Sequence, residues 1–258
     1  MRKFKTLFKY ESLALAQSRW LWIYLAAFNL ILFALRYFSN EPQQLFVSTM
    51  NSILFFHSIG LLLFATLSWQ NNSEFISLIL TQPIQRKTVF IARFLAFGLS
   101  LALFTDASLL LQMGASLSPE ENLRLLVSQT VVEIIFTGLG FLLAIQIQDR
   151  LKAMAVAAGL VLLFCLVLDS VSLWIIINYA SYPLEKIILG LSALNPLTLL
   201  KFQNLAHDEN SLWIGYAGLL LQRAWDSGFI QTLCGLALSL WIVLPVSAAW
   251  VRFKYKDF

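Results

Sequence analysis

The chain has 258 residues, 59% of them hydrophobic and 12% charged, with a mean hydropathy of +0.75 and a formal charge of +4. Soluble domains run at roughly 45–50% apolar and ~25% charged, so a water-soluble fold of this length has no interior large enough for so much apolar surface, and lipid is the solvent for most of it. The positive residues flank apolar runs instead of forming a basic face with interleaved aromatics, which excludes a nucleic-acid role; Cys165 and Cys234 lie far apart inside apolar runs without CxxC spacing, which points to packed thiols and away from a disulfide framework or a zinc site.

The first twenty residues, MRKFKTLFKYESLALAQSRW, are basic and lack an apolar h-region followed by a small-residue cleavage site. Their spacing predicts a retained amphipathic helix on the membrane surface, with Phe4, Leu7, Phe8 and Leu15 on one face and Lys3, Lys5 and Lys9 near the headgroups. Crossing a ~30 Å hydrocarbon core takes about 20 apolar residues as a helix. Six windows qualify: Trp20–Leu35, Phe46–Trp69, Val89–Met113, Leu123–Ile147, Ala153–Tyr179 and Phe229–Val251. Trp20, Trp22 and Tyr24 open the first at the depth where aromatic residues anchor spans. The expected fold class is all-α integral membrane, organised as one domain over residues 1–258.

With the N-terminus inside, thirteen of the eighteen lysines and arginines fall on the same side. They are the N-terminal five, then Arg86, Lys87 and Arg93, then Arg150 and Lys152, then Arg252, Lys254 and Lys256. The positive-inside rule therefore predicts that both termini are cytoplasmic. The outer connections Tyr37–Leu45 and Gly114–Asn122 are short. The third, Ala180–Gly228, is long and largely apolar; LSALNPLTLLKF and SLWIGYAGLLLQRAW within it are too short or too interrupted to span. They are expected to be re-entrant or interfacial helices, broken at Asn195-Pro196 and covered by protein, since non-helical backbone at that depth needs partners.

The connector Ser68–Phe94, between the second and third spans, draws attention first. Asn72 or Ser73 is placed to cap a helix with Glu74 in its first turn, where a carboxylate is favoured by exposed amides and the helix dipole. Phe75, Ile76, Leu78, Ile79 and Leu80 give that helix a strongly apolar side, and Pro83 is expected to end it because it has no N–H to continue. Gln82, Arg86 and Lys87 follow. A short, capped, cationic connector of this kind is expected to dock a cytoplasmic partner, although a membrane-surface helix without a partner has the same pattern.

Three carboxylates, Asp106, Glu133 and Asp169, fall inside predicted spans. Each would cost roughly 2.5–3.5 kcal/mol at the bilayer centre, so each should face protein or water. Asp106 and Glu133 are candidates for a cation or proton site as much as for structural pairing; Asp169, near the outer end of the fifth span, reads as structural. His57 and Met50 share a helix face, and with Met113 they suit a soft metal such as copper, although packing explains scattered residues of these types equally well. Small residues at Gly138, Gly140, Ala144, Ala153, Ala155, Ala157, Ala158 and Gly159 allow close helix approach, within the bundle or between subunits. Glu120-Glu121-Asn122-Leu123-Arg124 is one residue short of the EExxxR element of intramembrane proteases. A GxxxxGK[ST] loop is absent, so ATP-driven work would need another chain.

The segments SLILTQPIQRKTVFIARFLAFGL, LKAMAVAAGLVLLFCLVLDSVSL and LNPLTLLKFQNL, with the basic tail VRFKYKDF, together make the chain resemble the type-2 ABC-transporter permeases, and within them the NosY-type permeases of nitrous oxide reductase maturation. The resemblance implies a homodimer in the bacterial inner membrane, docked by two cytoplasmic ATPases that bind ATP and magnesium. It makes Glu74–Pro83 the coupling helix, with Glu74, Phe75, Leu78, Ile79, Gln82 and Pro83 at the partner and Arg86 holding it at the membrane face. It matches Asp169 to the family's fifth-span aspartate and Asn195-Pro196 to an outer re-entrant region. It further implies a periplasmic accessory protein concerned with the copper or sulfur of nitrous oxide reductase. The alternatives are a proton- or cation-coupled secondary carrier built on Asp106 and Glu133, a permease of this type for a different substrate, and a non-transporting membrane scaffold.

Overall fold

The structure, a computed structural model, describes residues 2–179, 185–205 and 229–256. These residues form α1 (Arg2–Ala16), α2 (Arg19–Phe38), α3 (Pro42–Asn71), α4 (Ser73–Leu80), α5 (Arg86–Met113), α6 (Pro119–Gln146), α7 (Arg150–Asn178), α8 (Glu185–Ala193), α9 (Pro196–Leu205) and α10 (Phe229–Tyr255). No strand occurs among the described residues. Six helices, α2, α3, α5, α6, α7 and α10, are long and apolar enough to cross a membrane, matching the six predicted windows.

Five of the six spans begin one to four residues before those windows, where polar flanks extend the helix. Pro42 and Pro119 sit in the first turns of α3 and α6, where a missing N–H costs nothing. Ser118 and Glu121 form a reciprocal capping box at the start of α6. The Asp149 carboxylate accepts from the amides of Leu151 and Lys152 and so caps α7. Glu120 pairs with Arg124 one turn on, at 2.6 Å. The two glutamates of the EENLR stretch are thus spent on starting a helix.

The chain divides into two compact units, Met1–Ala158 with Leu244–Phe258, and Gly159–Val243. In the first unit α3 and α6 form the inner pair. Each buries 67% of its most apolar stretch, against 22% for α2 and 33% for α5. Gly140 makes the closeness possible: a Cβ there would lie 2.7 Å from the Ala65 Cβ and 3.2 Å from the Leu62 carbonyl oxygen. A Cβ on Gly138 would similarly meet Val246 and Pro245 of α10, at 2.9 and 3.2 Å. Both glycines therefore serve packing inside the bundle. Gly159, by contrast, has open space where a Cβ would stand. α1 and α2 pack along α5, and Trp69, at the end of α3, is enclosed by Phe90, Phe141 and Phe253.

In the second unit α7 passes through a π-helical turn at Leu163–Val167 before continuing to Asn178. Asn195 reaches this turn, its side-chain amide donating to the Phe164 carbonyl at 2.8 Å. Its carbonyl oxygen accepts from the Leu197 amide and caps α9, whose first residue is Pro196. The break between α8 and α9 therefore falls where Asn195-Pro196 predicts it. Phe164 meets Trp241 edge to face at 5.4 Å. Cys234 is buried and Cys165 half-buried, and both are free thiols. The predicted SLWIGYAGLLLQRAW helix lies outside the described residues.

Candidate functional site

Helix α4 is the candidate docking element. Its sequence, SEFISLIL, sets Ser73, Glu74 and Ser77 on one side and five large apolar residues over a broad arc opposite, an arc too wide for all of them to face the bundle. The structure buries Ile76 and Ile79 at 0% and 7% exposure and leaves Phe75 and Leu78 at 48% and 65%. Glu74, Gln82 and Pro83 are exposed with them. Two isoleucines thus anchor the helix while a phenylalanine and a leucine, flanked by polar groups, face outward.

Both ends of this helix differ from the sequence reading. Asn72 does hold the cap position, but its side chain turns back to the Ser68 carbonyl at 2.9 Å and the Ser73 hydroxyl donates to Gln70, so neither caps the amides of α4. The helix stops at Leu80, ahead of Pro83. The amides of Thr81 and Gln82 bond to carbonyls only three residues back, and the Ile84 amide reaches across Pro83 to Gln82. A tightened last turn ends the helix, and Pro83 lies in the bend that follows.

The connector is clamped on both sides. Lys3 donates to the Pro83 carbonyl at 2.8 Å. The Arg86 guanidinium donates to the carbonyls of Lys254 and Lys256, at 2.9 and 2.7 Å, tying the start of α5 to the end of α10. Lys256 in turn donates to the Ile145 carbonyl at 2.7 Å, and burial pushes its ammonium pKa down from the ordinary value. Gln70 donates to the Ala144 and Ile147 carbonyls, joining the end of α3 to the end of α6. Four span ends, the start of α1 and α4 are thereby held at one end of this unit.

Arg93 is not part of the exposed cationic surface that its place in the connector suggests. It is buried in α5, pairs with Glu11 of α1 at 3.1 Å, donates to the Ser68 carbonyl and lies 5.1 Å over the Trp69 ring. A buried guanidinium keeps its charge only with such partners. Glu11 escaped the sequence reading because nothing in its neighbourhood marks it; Arg93 lies 82 residues away.

A second group of polar residues lies between the spans. The Tyr24 hydroxyl hydrogen-bonds His57 Nδ1, and His57 Nε2 lies 3.4 Å from Glu133 Oε1. Thr105 Oγ1 is 2.6 Å from the same carboxylate oxygen, and Gln129 Nε2 donates to Asp106 at 2.8 Å. Asp106, Glu133 and His57, which the sequence treats separately, are thus brought into one cluster, with Tyr24, Thr105 and Gln129 added. The helical spacing of Gln129 and Glu133, four residues apart, was the available signal. Both nitrogens of His57 are turned to Tyr24 and Glu133, while Met113 Sδ accepts from Thr49 at 3.7 Å and Met50 is packed in the core. No group of three or more His, Cys, Asp or Glu placed to hold a metal occurs among the described residues.

Asp169, in the second unit, accepts from Thr198 at 2.9 Å and from Asn195 at 3.3 Å and pairs with Lys201 at 3.2 Å. These bonds hold α9 on α7 just beyond its π-helical turn, with two donors on Asp169 Oδ1.

A sequence profile described as "ABC-2 family transporter protein" matches residues 72–258, from the cap of α4 to the C-terminus. The chain is also similar to "Probable ABC transporter permease protein NosY" of Stutzerimonas stutzeri, 27% identical over 191 residues, which cover 70% of this chain and 68% of that protein.

Proposed function

Because the chain belongs to the ABC-2 family of transporter proteins, we propose that it couples ATP hydrolysis on separate cytoplasmic subunits to movement of its spans through α4. As an ABC-2 permease it is the membrane subunit, and ATP and magnesium belong to the partner. The observation that carries the coupling role is the divided helix: Ile76 and Ile79 fix α4 to the bundle, and Phe75 and Leu78 stand exposed beside Glu74 and Gln82. An ATPase groove that covers Phe75 and Leu78 gains their burial, and it can push on a helix joined to α3 through Asn72 and held to α1 through the Lys3–Pro83 bond.

The gathering of α1, α4 and four span ends at one end of the unit supports placing that end in the cytoplasm, since the basic excess lies there and both termini follow it. By resemblance to NosY-type permeases, the membrane is a bacterial inner membrane, with α1 at its inner interface. The profile runs through both compact units, which supports treating residues 1–258 as one transmembrane domain. By resemblance to NosY-type permeases, a second copy completes the transporter, the α8–α9 break belongs to an outer re-entrant region, and a periplasmic accessory protein receives the output in copper- or sulfur-site maturation of nitrous oxide reductase. A permease for a different substrate shares the coupling mechanism.

The test is co-purification. A tagged chain in mild detergent should bring down its ATPase, and Phe75→Glu with Leu78→Glu should release it while the permease stays monodisperse. Absence of any ATPase with the unaltered chain overturns the coupling role. Loss of metal-loaded nitrous oxide reductase in a strain lacking this chain, restored by the gene, tests the narrower assignment.

A further inference from the structure

Four helices of the first unit each send a polar side chain to one buried place: Tyr24 from α2, His57 from α3, Thr105 and Asp106 from α5, and Gln129 and Glu133 from α6. His57, Thr105, Gln129 and Glu133 are buried, and Asp106 is half-exposed at the edge of the cluster. The Phe28 ring closes over His57 at 5.2 Å. The histidine is the last residue of a π-helical turn, Ile53–His57, inside α3, a local irregularity that recurs at functional sites.

The titratable groups facing one another are Tyr24, His57, Asp106 and Glu133. Glu133 and His57 are the titratable neighbours of Asp106, and among the described residues no lysine or arginine stands with them. Two carboxylates without a permanent cation, held in an apolar surround, call for positive charge from elsewhere. Glu133 Oε2 and Gln129 Oε1 are buried and have no hydrogen-bond partner among the described residues.

The hydrogen positions allow two states on the same heavy atoms. Thr105 Oγ1 lies 3.0 Å from the Leu101 carbonyl and 2.6 Å from Glu133 Oε1, and its hydroxyl carries one hydrogen. Donated to Glu133, that hydrogen satisfies a carboxylate. Turned to Leu101, it leaves the threonine oxygen to accept from a protonated Glu133. On the other side, the Tyr24 hydroxyl donating to Nδ1 places the imidazole hydrogen on Nε2, which faces Glu133.

We propose that Glu133 and His57 form a proton-binding site within the permease, with Thr105 switching its hydroxyl between the two states and Gln129 and Asp106 leading toward the edge of the cluster. One proton from solvent converts the Glu133 carboxylate to the acid, and its release restores the carboxylate. The ligand is the proton itself. This site lies apart from α4, so its failure leaves the ATPase-docking role intact.

The experiment is an infrared pH titration of the full-length protein in lipid nanodiscs. A protonated-carboxyl band should disappear as pH rises, be lost in Glu133→Gln and survive in Asp106→Asn. His57→Gln should move its midpoint by about one pH unit or more, the scale on which an adjacent ionisable partner acts. A band that remains in Glu133→Gln, or that vanishes with Asp106→Asn instead, overturns the proposal. So does a midpoint that follows sodium or potassium concentration, which would make the ligand a metal cation. Should Glu133→Gln fail to fold, Glu133→Asp keeps a carboxyl with a shorter reach and must shift both band and midpoint; an unmoved band overturns the assignment equally.

Discussion

Two alanine substitutions, two residues apart on α4, separate anchoring from docking. Ile76 is fully buried, so Ile76→Ala removes packed atoms from the free permease and should cost about 2–5 kcal/mol. Leu78 retains 65% of its surface, and complete burial of a leucine is worth about 1.5–3 kcal/mol, so roughly 1–2 kcal/mol is left for a partner to gain. At 1.4 kcal/mol per tenfold, Leu78→Ala should weaken ATPase binding by about 5- to 30-fold. Its effect on the permease alone should stay within about 0.5 kcal/mol, as for other surface changes. Thermal unfolding of the detergent-solubilised permease reads the first quantity, and titration with the purified ATPase reads the second. If Leu78→Ala lowers the unfolding midpoint as far as Ile76→Ala does, or leaves ATPase affinity unchanged, the division of α4 into an inner and an outer face is wrong.

The other interior features make separate predictions. Gly140→Ala places a Cβ against Ala65 and should destabilise by about 1–3 kcal/mol, with Ala65→Gly in the same chain recovering part of the loss; thermal unfolding of the single and double variants checks this. Glu11→Ala strands the buried Arg93 and should cost about 3–5 kcal/mol, whereas replacing both residues by apolar ones should cost less than the sum, which a double-mutant cycle measures. Asn195→Ala removes the α9 cap and the bond to Phe164 and should cost about 1–2 kcal/mol, seen as earlier proteolysis of the α8–α9 segment. Asn195→Asp retains a capping oxygen but sets a second carboxylate beside Asp169, so it should be tolerated better at low pH than at neutral pH, a comparison the same proteolysis assay makes.

The six spans were legible because a bilayer imposes a length and a composition that few other structures need, and the Ser118–Glu121 capping box accounts for the earlier start of α6. The Asn195-Pro196 break was legible for a similarly local reason, since asparagine and proline act at the helix start itself. The face of α4 was legible only in part: Ser73, Glu74 and Ser77 mark its polar side, but the apolar arc opposite is broad, and packing alone decided that Ile76 and Ile79, not Phe75 and Leu78, meet the bundle. Arg93 was misread by the same route. Counting it with Arg86 and Lys87 treats charge as a property of position along the chain, whereas Glu11 reaches it only through the packing of α1 on α5.

By itself the sequence determined the solvent, the number of spans, the location of the basic excess and a connector rich enough in apolar and charged residues to suggest a partner. These follow from local composition, and the lipid reads composition one span at a time. Only the tertiary structure decided how each helix is turned about its axis. That rotation brings His57 to Glu133, buries Ile76 instead of Leu78, and sets Gly140 against Ala65. It depends on the fit of side chains from several spans at once, and hydropathy along one chain carries no record of that fit.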